Sequence, residues 1–290
     1  MGNRYWLLIL LCCLGALPLG AQIPTFPKLE GREGLVVLIA DARNGRLLGG
    51  VHTEEAFQSR YFPGSLFKIA IAVAWMQRGN ATPQRQFTCV GNDSANPALP
   101  RCWLAKGHGR VKFVSAFANS CNLYFRHIAA KISHAEMIQA AQRLGMIGPS
   151  RFPGEPTAPA AVPQIDDQNL LGESFTTSPA QMLRLALTLA TRGRLATPPF
   201  QLSGTRYRLL YRGLQECVRT GTAKGAWRKD FAISGKTGTV YPPGTRQRTV
   251  GWFVGFAPAT HPRYAIVVLQ PDATGSQAAI TAGDILGRLM

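Results

Sequence analysis

Three short runs in this chain set hydroxyls and amines at spacings that suit acyl transfer. In Ser65-Leu66-Phe67-Lys68 the hydroxyl and the amine are three residues apart, so on a helix they share a face and can meet. A serine hydroxyl is a weak nucleophile until a base removes its proton, and a lysine is a base only when neutral. Burial and a second cation nearby both lower a lysine pKa, and Lys236, in Lys236-Thr237-Gly238, is a candidate for that cation. Ser120-Cys121-Asn122 offers another hydroxyl to carry a proton and an amide to hold a substrate. With 12 Ser, 8 Lys and 8 Asn in 290 residues, Ser-x-x-Lys and Ser-x-Asn each arise by chance roughly 0.3 times. All three runs together come to about 0.01, so the set carries a signal that no single run does.

Cys121 asks for company, and it has some. Cys89, Cys102, His108 and Cys121 follow the pattern C-x12-C-x5-H-x12-C, a Cys3His set of the kind that holds structural zinc tetrahedrally. A Cys89–Cys102 disulfide, with Cys121 a buried thiol and His108 a turn residue, is the rival reading. In an extended turn side chains alternate, so Ser120 and Asn122 would face a cleft and Cys121 would point behind it. Cys217, among apolar neighbours on an expected helix, reads as core. His52, His127, His134 and His261 have no partners in sequence and read as surface or satisfied core. Glu173, a candidate hydrolytic base by type, sits in a loop context.

The elements that must position these groups follow from punctuation and periodicity. Residues 34–40 and 46–51 flank the turn Asp41-Ala42-Arg43-Asn44-Gly45 and form a hairpin. Pro63-Gly64 breaks the chain ahead of an apolar helix over 65–78. Residues 84–112, rich in Gly, Pro and Asn, are expected to be irregular. Helices are expected over 111–120, 123–132 and 133–144, the last opened by a capping box of Ser133 and Glu136. Five prolines make 148–164 a loop. A helix over 179–192 carries Pro179 at its first position and Ser178 as its cap. Another spans 207–219, strands follow over 231–240, 249–256 and 264–269, and a helix over 277–289 closes the chain. Trp252, Phe253 and Phe256 read as sheet core. The fold class is therefore α+β: an antiparallel sheet of about five strands flanked by helices, with a mostly helical subdomain and the active site between them.

Composition sets the compartment. Apolar content of 46% and charged content of 16% belong to a globular chain. Residues 1–21 read as a signal peptide or N-terminal anchor, with a short basic start, an apolar run over 5–19 and a small residue before Gln22. Cys12 and Cys13 lie inside that run. The mature chain, 22–290, is then exported, to the periplasm or the outer face of the inner membrane. Export excludes nucleic acid as a partner. The formal charge of +17 is that of an Arg-rich soluble surface, or of one drawn to an anionic cell envelope.

Taken in order, Ser-x-x-Lys, Ser-x-Asn and Lys-Thr-Gly resemble the transpeptidase domain of penicillin-binding proteins, within the serine β-lactamase and D,D-peptidase superfamily. The resemblance extends to Pro63-Gly64 before Ser65, Arg101-Cys102-Trp103 with Gly107-His108-Gly109, Thr177-Ser178-Pro179, Gly221-Thr222-Ala223, Ser234-Gly235 before Lys236, and Gly251-Trp252-Phe253-Val254-Gly255-Phe256. These blocks are most similar to the class B, elongation-type members. Those carry an N-terminal pedestal domain, whereas here the leader runs almost directly into catalytic-domain sequence.

The resemblance implies a peptidoglycan D,D-transpeptidase or D,D-carboxypeptidase that acts on D-Ala-D-Ala stem peptides through a serine acyl-enzyme and binds β-lactams. Ser65 would be the nucleophile and Lys68 its base. The backbone N–H groups of Ser65 and Thr239 would form the oxyanion site. Ser120 would pass a proton to the leaving amine, and Asn122 would hold the substrate amide. Lys236, Thr237 and Thr239 would grip the terminal carboxylate, with Gly238 leaving the strand edge open for the peptide. No cofactor is implied for catalysis. Elongation-type relatives hold a metal at the Cys3His positions with Asp, His and Cys. Partners in cell-wall synthesis or morphogenesis are implied as well. A class D-like β-lactamase, and a non-catalytic β-lactam sensor or envelope scaffold, remain alternatives.

Overall fold

Strand β1 (Val36–Asp41) is buried along its whole length, because it is flanked on both sides by other strands and covered on both faces. It turns through Asp41, whose carboxylate accepts from the Arg43 N–H at 2.8 Å and from the Arg43 guanidinium, and returns as β2 (Leu47–Val51). The structure, a computed structural model, describes residues 25–92, 101–149, 152, 171–202, 204–241 and 247–290. The expected leader and most of the proline-rich loop therefore lie outside the described residues.

A short helix α1 (Pro27–Glu30) precedes the hairpin and α2 (Glu55–Gln58) follows it. A 3-10 turn, Gly64–Phe67, then runs straight into α3 (Lys68–Gln77). Residues Lys68 to Met76 of α3 are all buried, so this helix is apolar all round and forms the centre of the helical layer. The described residues of 84–112 are more regular than their composition suggests. Strand β3 (Phe87–Cys89) pairs antiparallel with β4 (Gly109–Val111), a ribbon too short to show a period in sequence. Next come α4 (Phe113–Ala118), α5 (Asn122–Ala129) and α6 (His134–Arg143), the last with the expected Ser133 and Glu136 capping box.

Helix α7 (Pro179–Ala190) is buried throughout, and α8 (Thr205–Arg219) follows. The chain then lays down β5 (Ser234–Val240), β6 (Val250–Ala257) and β7 (Tyr264–Pro271), and ends in α9 (Gly275–Leu289). The sheet order is β2-β1-β7-β6-β5, antiparallel throughout, so both ends of the chain build one sheet and β5 is an edge. Alternation sorts its residues into two cores. Leu38, Trp252, Val254 and Val267 face the helical layer of α3 and α7. Val37, Ile39, Phe253, Ile266 and Val268 face Ala278, Ala282 and Leu286 of α9.

The cap of α7 is buried: Ser178 Oγ accepts from the Gln181 N–H at 3.2 Å, and Gln181 Oε1 accepts from the Ser178 N–H at 2.9 Å. Ser178→Ala leaves a buried N–H without its partner. It is expected to lower stability by about 1 kcal/mol, seen as a lower urea midpoint with an unchanged slope.

Candidate active site

The 3-10 turn and the first residue of α3 place Ser65 and Lys68 on the side facing β5, and the Trp252 indole N–H fixes the segment entering the turn by donating to Phe62 O at 3.1 Å. Lys68 is fully buried because it sits on the innermost helix. Its Nζ lies 3.1 Å from Ser65 Oγ, 3.1 Å from Ser120 Oγ, 2.8 Å from Ser120 O and 2.6 Å from Asn122 Oδ1. Lys236, also fully buried, donates to the same Ser120 Oγ at 3.1 Å and to Thr237 O at 3.0 Å. The three runs, distant in sequence, thus converge on one hydroxyl.

Ser120 reaches both amines through its backbone. The 120–122 segment is not the extended turn expected from sequence. Ser120 takes the left-handed conformation at φ 52° as α4 ends, which turns both its carbonyl and its hydroxyl to Lys68. Cys121 then caps α5 in an extended conformation, its sulfur accepting from the Tyr124 N–H at 3.5 Å, and Asn122 opens the helix. A helix junction, not strand-like alternation, sends Cys121 behind the site.

Burial, and secondly the charge of Lys236, hold the Lys68 pKa well below its ordinary value. Burial likewise lowers that of Lys236. A neutral Lys68 has two N–H donors and one lone pair. The two shortest contacts, to Asn122 Oδ1 and Ser120 O, take the donors and leave the lone pair for the Ser65 hydroxyl proton.

The amines lie beneath a cleft of about 430 Å³, lined by Ser65, Ser120, Asn122, Thr237 and Thr239 together with Trp103, Leu171, Glu173, Thr222 and Ser276. Thr237 Oγ1 is 2.6 Å from Thr222 Oγ1, and Thr239 Oγ1 accepts from the Gly275 N–H at 2.8 Å. Gly238 serves a different end from the one expected. A Cβ there would sit 3.1 Å from Pro63 O and 3.4 Å from Leu66 Cγ, so its bareness lets the Ser65 turn pack tightly on β5. The open edge comes instead from the position of β5 at the end of the sheet. Nothing in pattern or period singled out Thr222, Leu171 or Ser276 as cleft residues; Thr222 stood only within the Gly221-Thr222-Ala223 resemblance. His52, His127, His134 and His261 are absent from the lining; His52 Nδ1 meets Leu35 O at 2.8 Å, and His127 packs on the Phe87 ring.

Behind the site, the ligand atoms of Cys89, Cys102, His108 and Cys121 lie within 4.8 Å of one another. His108 Nδ1 is 3.6 Å from Cys89 Sγ and 3.4 Å from Cys102 Sγ, against roughly 3.6 Å for a sulfur–nitrogen edge around tetrahedral zinc. All four described cysteines are free thiols, so Cys89 and Cys102 do not form the alternative bridge. A hydrogen bond from Cys121 lowers the Cys102 thiol below the ordinary thiol range, with help from the Leu104 and Asn122 N–H groups; Cys121 itself is raised by that bond and by burial. The donor set and spacing fit a zinc ion. The Cys217 thiol is buried in core, as expected, and also touches Thr222 Oγ1 at 3.4 Å.

A sheet shared by both chain ends, a helical layer across it and a serine between two buried lysines define a serine acyl-transfer scaffold. Over residues 35–290 the chain matches the penicillin binding protein transpeptidase domain, and it belongs to that family. It is 23% identical over 318 residues to stage V sporulation protein D of Bacillus subtilis, covering 89% of this chain and 48% of that one. It is 27% identical over 269 residues to the peptidoglycan D,D-transpeptidase PbpA of Mycolicibacterium smegmatis, covering 79% and 53%. The chain therefore spans about half the length of these relatives. The fold is similar to that of PBP2 from Helicobacter pylori, solved as a complex with MreC, at TM-score 0.70 and 20% identity over 88% of this chain and 59% of that one.

In a protein whose lysines are labelled with ¹³C at Cε, two resonances are expected to titrate below the ordinary 10.5, and to vanish in Lys68→Gln and Lys236→Gln respectively. Two lysines titrating with the bulk would refute the lowered basicity of this pair.

Proposed function

We propose that the chain is a serine D,D-acyltransferase of peptidoglycan, a transpeptidase or carboxypeptidase, and that β-lactams acylate the same serine. One observation carries this reading: fully buried Lys68 within 3.1 Å of both Ser65 Oγ and Ser120 Oγ, with Lys236 on the far side of Ser120. Ser65 Oγ attacks the carbonyl of the D-alanyl-D-alanine bond as its proton passes to Lys68 Nζ. The backbone N–H groups of Ser65 and Thr239 take the oxyanion. The C–N bond breaks as Ser120, resupplied from Lys68, protonates the departing amine. An acceptor amine or water then attacks the acyl-enzyme, and Ser65 recovers its proton. Asn122 orients the substrate amide, and Thr237 and Thr239 meet its terminal carboxylate. The edge of β5, kept close to the Ser65 turn by Gly238, takes the peptide backbone.

Zinc belongs to this reading as a structural ion held by Cys89, Cys102, His108 and Cys121. It would tie the β3–β4 ribbon to the start of α5, adding on the order of 10 kcal/mol to folding. Residues 1–21 are read as the export leader, which puts the domain at the outer face of the membrane. Among the described residues no helix is long and apolar enough to cross one. The H. pylori PBP2 complex with MreC supports a morphogenetic partner of that kind.

Glu173 on the cleft rim favours hydrolytic release as the second reading, that of a β-lactamase. Fluorescent penicillin separates the two. A bond on Ser65 lasting many minutes is expected, absent in Ser65→Ala and formed about a hundredfold more slowly or worse in Lys68→Gln. The wild-type rate should rise with pH as Lys68 loses its proton and level off below 10.5. Rapid release would indicate a β-lactamase, and no labelling a scaffold. A D-Ala-D-Ala pentapeptide, with and without an acceptor amine, separates transfer from hydrolysis and enzyme from sensor.

Elemental analysis should find one zinc per chain and none in Cys121→Ser, and chelation should lower the thermal midpoint by roughly 10 °C or more. A metal-free chain carrying a Cys89–Cys102 bridge would end the zinc assignment.

A further inference from the structure

Among the described residues lining the cleft there is no arginine or lysine, and Lys236 spends its amine on Ser120 and Thr237 O beneath the surface. An anionic ligand end is therefore met by neutral donors, and each hydroxyl among them has a single proton to give. Thr237 is the hydroxyl in question. Its Oγ1 lies 2.6 Å from Thr222 Oγ1, and if it donates there it has nothing left for a ligand.

The surroundings of Thr222 decide the direction. Its other acceptor, Ala118 O, is a long 3.5 Å away, so the short contact to Thr237 is the better place for its proton. On its remaining side, the Cys217 thiol stands 3.4 Å from Thr222 Oγ1, buried on α8. An S–H can donate into Thr222, which donates into Thr237, which is then free to donate into the cleft.

Thr222 is held firmly for this task. Its N–H donates to Ala118 O at 3.1 Å, Ala223 N–H donates to Cys217 O at 3.0 Å, and Ser276 Oγ donates to Thr222 O at 2.8 Å. A Cβ on the preceding Gly221 would fall 2.2 Å from Ala118 O, so only glycine lets this segment approach α4 so closely. Ala118 lies two residues before Ser120. The Thr222 segment therefore bridges the two cleft walls, that of Ser120 and that of Thr237.

We infer that Thr222, oriented by the Cys217 thiol, is a positioning residue that reserves the Thr237 proton for the carboxylate of a bound acyl donor. The inference rests on the acyltransferase reading and adds to it the means by which a cleft whose described lining holds no cationic side chain selects anionic substrates. The chain Cys217 S–H, Thr222 O–H, Thr237 O–H runs from core to cleft, and no bond is made or broken along it.

The test compares acylation of the full chain by benzylpenicillin and by its methyl ester, which lacks the anionic group. Thr222→Val is expected to slow acylation by the acid about tenfold, the scale of a hydrogen bond to a charged group, and to leave the ester rate unchanged. Thr222→Ser should restore the preference for the acid, and Cys217→Ala should lose part of it. A merely structural role would slow both ligands alike, and that result, or an unchanged acid rate in Thr222→Val, overturns the inference while leaving the acyltransferase standing. A wild-type chain that neither ligand acylates overturns both.

Discussion

Two amines buried within reach of one hydroxyl are the constraint on which the rest of this structure depends. An ammonium taken out of water is unfavourable by several kcal/mol unless it is well paired, and among the described residues no carboxylate partners Lys68 or Lys236. The molecule meets that demand with neutral oxygens and with aromatic faces. Lys68 Nζ lies 5.7 Å from the Phe125 ring centre and Lys236 Nζ 6.0 Å from that of Phe117. These contacts favour an ammonium, but burial without a counter-charge outweighs them, so the lowered basicity of Lys68 is a property of the helical core and not of the cleft.

Each layer then has a part in keeping those distances. Helix α3, buried all round, cannot rotate to bring Lys68 to water. The α4–α5 junction spends a strained residue, Ser120, to aim a carbonyl and a hydroxyl at one amine, a conformation held only because the surroundings over-determine it. The Cys3His cluster supports the junction from behind, since the Asn122 N–H turns toward the Cys102 sulfur while the Asn122 side chain meets Lys68. The cysteine cluster on one side of residues 120–122 and the buried lysines on the other therefore share a backbone.

Much of this was legible because local rules and global packing agree. The hairpin after Gly34, the Ser133 and Ser178 caps and the three closing strands each carry a period or a punctuating residue strong enough to survive tertiary context. The Ser65, Lys68, Ser120, Asn122 and Lys236 set was legible through the rarity of its combination. The β3–β4 ribbon was not, since three residues per strand show no alternation. The left-handed Ser120 was hidden because serine has no preference for that conformation. Gly238 misled for a related reason: a glycine in a strand signals close approach, but sequence does not say from which side. Thr222 showed no role in sequence, because its meaning depends on Thr237, 15 positions away and on another element.

Strand β5 closes the sheet on the side of the serine, and no described strand pairs beyond it. An edge left bare so that a guest strand can dock is equally a template for a second molecule of the same protein, and many folds hide such edges under a loop or a proline. Here the guard is collective. Copies each carrying a formal +17 repel one another, and that repulsion fades as salt shortens its range to about 8 Å at physiological strength. The colloidal behaviour of the domain is thus tied to the same bare strand that is proposed to take the peptide, and ionic strength governs how far the molecules keep apart.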